Sequence, residues 1–169
     1  MVEHWARSEP SGLASRSFKD VRITYSGPVR RYAVRARILD VLQSVLGPGV
    51  PARIGYMNEG VARLGPDELF VLRAEEARLV LPTGQPISVT DVSERSIGLI
   101  LEGTRAVETL SAGCPLDLYH LAVGRCTRTI YETVEIIVMR ESHERLRVEV
   151  WRSFAPWLWL ALCTVAAAH

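Results

Sequence analysis

ISVTDVSERSIGLILEGTRAVETLSAG, residues 87–113, holds two strand candidates and a helix in the order on which the fold turns. ISVTDV and IGLILEG read as strands, and TRAVETLSAG reads as a helix that stops at Gly113 near Pro115. Just before them PTGQP, Pro82 to Pro86, forms the sharpest internal boundary of turn residues. Upstream of it, VRITYSG from Val21 alternates as a half-buried strand. AVRARILDVLQSVLG follows as a helix, with Val34, Ile38, Val41, Leu42 and Val45 at helical spacing and Gly47-Pro48 as its stop. ARIGYMNEGVARL and ELFVLRA are strands joined through the turn residues GPD as a hairpin, and EEARLVL is a short amphipathic piece in the place of the closing helix of this half. Downstream of the helix come an irregular CPLDLYHLAVG, the strands CTRTIYETVEIIVMR and RLRVEVW, and a terminal helix. The repeated order predicts an α+β fold of two ferredoxin-like or split βαβ halves, residues 21–84 and 87–169, packed as one compact subunit behind a flexible arm, residues 1–20.

Length and charge narrow the function. A chain of 169 residues buries a core without covalent staples, and a net charge of +1 offers no broad basic field for nucleic acid or an anionic membrane. Arg supplies every basic residue except Lys19. Three cysteines without a short pairing motif, and an N-terminus without a secretory apolar core, fit a reducing, cytoplasmic setting. FAPWLWLALCTVAAA, Phe154 to Ala168, is shorter than the roughly 20 residues a membrane-crossing helix needs and predicts a buried terminal helix. Ser153 is its expected cap, with Pro156 in the first turn. Trp157, Leu158, Trp159, Leu160 and Leu162 surround this helix, so one face should meet its own sheet and another a second chain. Trp5, Leu13 and Phe18 are the large apolar residues of the arm, suited to wrapping a partner.

AGCPLDLYHLAVGRC, residues 112–126, concentrates Cys114, Asp117, His120 and Cys126. A structural zinc site wants four N or S ligands in close pairs, which this stretch lacks, and a catalytic thiol needs an adjacent base to hold it as thiolate. The simpler reading is packing, with Pro115 stopping a helix, Leu116 and Leu118 anchoring the loop, and Asp117 capping it or pairing with an arginine such as Arg152. Neither a dinucleotide-binding glycine turn nor a phosphate-binding loop is present. Asp67, Glu68, Glu75 and Glu76 read as turn and surface carboxylates, and Arg140, Glu141, Glu144, Arg145 and Arg147 as a solvated, mixed-charge hairpin. No catalytic, cofactor-binding or metal-binding residue is assigned in this chain.

TDVSERSIGLILEG, GCPLDL (113–118), GRCTRT (124–129), RSFAPWLW (152–159) and, in the first half, LGPDELFVL (64–72) together make the chain resemble the gamma subunits of heterotetrameric sarcosine oxidase. Leu69, where such chains often carry an aromatic, and Thr127-Arg128, where Ala-Gln is common, depart from the pattern and bear on the substrate. The resemblance implies a fold like the folate-binding aminomethyltransferases and a supporting role beside alpha, beta and delta subunits, with beta the main contact. It also implies that FAD, FMN, NAD, tetrahydrofolate and zinc are carried by those partners, which demethylate sarcosine oxidatively to glycine. Trp5, Phe18, Cys114, Pro115, Asp117, Arg152, Phe154, Trp157 and Trp159 are the residues then expected at the subunit interface. A gamma-type subunit of a related N-methyl amino acid or hydroxyproline dehydrogenase, or a stand-alone tetrahydrofolate-binding domain, are the alternatives.

Overall fold

The computed structural model describes residues 15–80 and 83–168. Its elements in chain order are β1 (Arg16–Phe18), β2 (Val21–Tyr25), β3 (Arg30–Arg35), α1 (Leu39–Leu46), β4 (Met57–Asn58), β5 (Val61–Arg63), β6 (Glu68–Arg73), β7 (Ser88–Asp91), β8 (Ser96–Glu102), α2 (Ala106–Ser111), β9 (Cys126–Tyr131), β10 (Val134–Ser142), β11 (Arg145–Trp151) and α3 (Ala155–Ala167). Among the described residues the strands form two antiparallel sheets, ordered β1-β2-β8-β11-β10-β9 and β4-β5-β6-β3-β7. The α+β class is thus realised with two sheets and helices on their outer faces.

Strand alternation sets the layers. In β11, Leu146, Val148 and Val150 turn to one side and join Ile97, Leu99, Leu101, Ile136 and Val138 in a core covered by α2 and α3. In β3, Tyr32 and Val34 turn outward with Leu69 and Val71 to pack on Leu42 of α1. The alternate residues of both sheets face each other. Ala62, Phe70, Cys126, Ile137 and Met139 form a small apolar cluster between them.

The two halves of the chain interleave. β2, from the first, pairs with β8, and β7, from the second, pairs with β3. At one corner the sheets are also joined through the backbone: Met57 N–H donates to Gly124 O (2.8 Å), Cys126 N–H donates to Gly55 O (3.0 Å), and Tyr56 bridges Arg125. Gly55 and Gly124 both take positive φ there, which sharp corners require and side chains with a Cβ resist.

Two expectations are corrected. The helix read over AVRARILDVLQSVLG covers only Leu39–Leu46, because residues up to Arg35 pair on both sides with β6 and β7. Val34 fits both the helical and the alternating period, and strand pairing decides. Ile38, expected on the inner helix face, is the extended cap residue and half exposed. EEARLVL forms no helix over its described residues 75–80. Its apolar residues are too few to hold a turn of helix against the sheet, although Leu79 packs on the α1 core.

Candidate functional site

The terminal helix α3 is apolar on nearly every side, and the fold can cover only part of it. Leu158, Trp159, Leu162, Cys163 and Ala166 are buried against the six-stranded sheet. Phe154, Trp157 and Leu160 follow at three-residue steps on another side and remain 42%, 39% and 63% exposed. Trp151, which strand alternation turns away from the helix-covered core, is 42% exposed and lies beside Phe154 with ring centroids 6.5 Å apart. Trp157 meets the buried Tyr131 ring edge-on at 6.0 Å. These side chains make an exposed aromatic stripe of the kind that marks an interaction surface. Ser153 does not cap this helix: Arg152–Phe154 form a 3-10 turn, Phe154 occupies the cap position without a side-chain bond, and Pro156 sits in the first turn as expected.

The loop from Ala112 to Gly124 is shaped by packing. Tyr131 lies so close to Gly113 that a Cβ there would stand 2.5 Å from the ring, and Glu132 N–H donates to Gly113 O at 2.7 Å. Leu118 is fully buried and anchors the loop, whereas Leu116, expected to do so too, is 40% exposed. Asp117 accepts weakly from His120 N–H (3.4 Å) and lies 2.6 Å from His120 Nδ1, a bond that lowers its pKa. It therefore caps its own loop; Arg152, the suggested partner, bonds instead to Glu94. Arg140, read as part of a solvated hairpin, is buried and donates to the carbonyls of Leu118 and His143. Cys126 sits between the sheets with its thiol donating to Tyr56 O at 3.3 Å, and burial pushes its pKa up to about 11. Such a thiol is held protonated, the opposite of an activated nucleophile. Among the described residues no three His, Cys, Asp or Glu side chains are placed to hold a metal ion.

The second feature is a cleft of about 350 Å³ between the sheets, lined by Phe70, Ile137, Arg95 and Trp151 among others. Arg35, Glu68, Arg128 and Glu135 line it as alternating charges. Arg128 reaches Glu68 of the other sheet with two donors and stands 3.6 Å from Glu135. The Arg128 hydrogen bond outweighs partial burial and holds Glu68 below the usual carboxylate range. Glu68 is therefore part of an inter-sheet clasp and not the isolated surface carboxylate its sequence position suggests. Deeper in, Glu149 is bonded by Arg31 and by Arg147, and both members of the Arg31–Glu149 pair have almost no exposed side-chain surface.

The structure brings Phe154 and Trp157 together with Trp151 and Leu160, of which Trp151 was missed by sequence reasoning although the alternation of β11 places it. Phe18 packs at the margin of the main core, Pro115 and Asp117 are exposed, and Cys114 and Trp159 are core residues of this chain. Trp5 and Leu13 lie outside the described residues. Among those described, no helix is long and apolar enough to cross a membrane.

No family model matches the chain. The sarcosine oxidase subunit gamma of Corynebacterium sp. (strain U-96) is 32% identical over 145 residues, which cover 76% of this chain and 70% of that one. Among solved structures, a chain of heterotetrameric sarcosine oxidase from Corynebacterium sp. U-96 in complex with pyrrole 2-carboxylate superposes with a TM-score of 0.76 at 25% identity, covering 93% of this chain and 91% of that one. The glycine cleavage system aminomethyltransferase T of Bartonella henselae shares the fold at 14% identity and a TM-score of 0.63, over 85% of this chain and 45% of its own. With likeness of that extent in both sequence and fold, this chain belongs to the family of sarcosine oxidase gamma subunits.

Proposed function

We propose that this chain is the gamma subunit of a heterotetrameric sarcosine oxidase and supports the oxidative demethylation of sarcosine to glycine by supplying shape and contact surface to the subunits that react. The observation carrying the reading is the match to the Corynebacterium gamma subunit along most of both chains. The chain's chemistry agrees with it: the charges lining its cleft are largely committed to ion pairs, and its Cys126 thiol is kept protonated by burial.

Phe154, Trp157 and Leu160 are the part of the stripe we assign to a partner subunit, with the flavin-bearing beta subunit as the expected neighbour, while Trp151 at its end lines the cleft. Phe18, Pro115, Asp117 and Arg152 are the further contact candidates. FAD, FMN, NAD, tetrahydrofolate and zinc belong, in this reading, to the alpha, beta and delta partners. Aromatic side chains make effective anchors because each removes a large apolar area from water when covered.

Co-expression with the oxidase's other subunits tests the proposal. The wild-type chain is expected to co-purify with flavin-containing partners. The double variant Phe154→Ser/Leu160→Gln is expected to lose most of that association, while its stability alone changes by about 1 kcal/mol at most, the sum of two single surface effects. A wild-type chain that binds none of those subunits would overturn the subunit reading. Unchanged co-purification of the double variant would overturn only the placement of the contact.

A further inference from the structure

We propose that the cleft between the sheets is a binding site for a small organic monocarboxylate with a flat apolar body, anchored by Arg95. The inference goes beyond the subunit role and does not depend on it. At about 350 Å³ the cleft falls at the lower end of the volumes that small-molecule sites occupy.

Arg95 is the organising residue. It leaves the turn that carries the chain from β7 to β8, and its backbone is held at both ends: its N–H donates to Val92 O (3.0 Å), and its carbonyl accepts from Arg152 N–H (2.7 Å). Its guanidinium lies 4.3 Å from the centroid of the Trp151 ring. A guanidinium laid on an aromatic face gains cation–π attraction and keeps its in-plane N–H edge free for a carboxylate, which it can take with two parallel bonds. Much of the ordering cost of that contact is already met by the stacking and the backbone anchors.

Charge selects the ligand. Glu68 and Glu135 already face Arg128, and Glu149 faces Arg31 and Arg147. Among the described residues Arg95 has no ion-pair partner, so it is the cation left to an incoming anion. One such cation beside three carboxylates suits a single negative charge, since a second would sit against Glu68 and Glu135 without a counter-charge. Shape selects the rest. Packed sheets stand about 10 Å apart, so a slot between them is thin, and here it is walled by Phe70, Ile137 and the small Ala33. A flat ring fits such a slot better than a branched aliphatic body.

Titration calorimetry on the full chain decides it, with 2-naphthoate as the probe and 2-naphthamide as its uncharged counterpart of like shape. The naphthoate is expected to bind, the amide roughly ten-fold or more weaker, and Arg95→Gln to lose roughly ten-fold or more in naphthoate affinity, the scale of a lost charge-assisted contact. Arg95→Lys should recover only part of it, because a point charge lacks the planar fork. No binding of naphthoate at millimolar concentration, equal affinity for the amide, or full affinity in a folded Arg95→Gln variant would each overturn the proposal. Should Arg95→Gln fail to fold, the acid-to-amide comparison on the wild-type chain still decides.

Discussion

On its outer face the six-stranded sheet is covered by α2 and α3 through apolar contacts, with Ile97, Leu99, Leu101, Ile136, Val148 and Leu162 essentially inaccessible. Its inner face meets the second sheet through a much smaller apolar cluster and a buried arginine–glutamate pair 118 residues apart in sequence. Apolar packing is non-directional, so the outer layer can adjust to local change. A buried ion pair is demanding, because either charge alone loses its hydration without compensation. The helices thus make the sheet stable, while the charges between the sheets fix how the two are set against each other.

The sharpest break of that contrast is Glu149→Ala, which leaves Arg31 buried beside the weaker acceptors Ser26 Oγ and Val29 O. Urea unfolding should show a loss of about 3–5 kcal/mol, as for other buried pairs with one partner removed. Replacing both, Arg31→Met with Glu149→Leu, should restore much of it, because matched apolar side chains remove the desolvation cost together. A double variant as unstable as Glu149→Ala would mean that the pair's shape, and not its charge, holds the sheets.

Gly98 offers a finer probe of the same place. A Cβ built on it would stand 2.5 Å from Glu149 Oε1, 2.5 Å from Ser26 Oγ and 2.9 Å from Arg31 Nη2, so the pair lies across a strand position that only glycine leaves open. Gly98→Ala is expected to cost about 1–3 kcal/mol by overpacking. Its effect should be smaller in a Glu149→Ala background, where the obstructing carboxylate is gone, and a double-mutant cycle measures that coupling. Additive losses would show that the glycine matters for some other reason.

The same contrast explains how far the sequence could be read. The outer layer was legible: period-two runs at Val21, Ile97 and Leu146, and the apolar terminal helix, all declare a buried face. The β3 segment was misread because Val34 satisfies two periods, and only its pairing with β6 and β7 separates them. The inner layer was barely legible, since Arg31, Glu68, Arg128 and Glu149 meet only after strands from distant segments are set face to face. A lone glycine within the SIGLILE run did carry a signal, as glycine inside a strand commonly marks close approach by another group. The strings GRCTRT and LGPDELFVL proved informative for a structural reason: the first begins at the corner joining the sheets, and the second is the turn from β5 into β6 with most of β6, bearing the Glu68 that Arg128 grips.

The clasp at the cleft gives the smallest effect and the clearest pH signature. Glu68 is 19% exposed but Arg128 is 40% exposed, so solvent screens the pair, and Glu68→Gln should cost no more than about 1 kcal/mol at neutral pH. The native pKa of Glu68 is depressed, chiefly by the Arg128 hydrogen bond. A carboxylate depressed in the folded state contributes stability that is fully present above its unfolded pKa and is lost as pH falls through the folded one. The gap between wild type and Glu68→Gln should therefore be constant near neutrality and close on acidification below the ordinary glutamate range, where the protonated acid comes to resemble the amide. Asp91, Glu102 and Glu141 are depressed too, each bonded to arginine, and they destabilise both proteins in parallel on acidification. Unfolding curves taken from neutral to acid pH isolate the Glu68 part as the difference between the two proteins. A gap that widens toward acid would reverse the sign and show that the clasp does not hold its glutamate ionised.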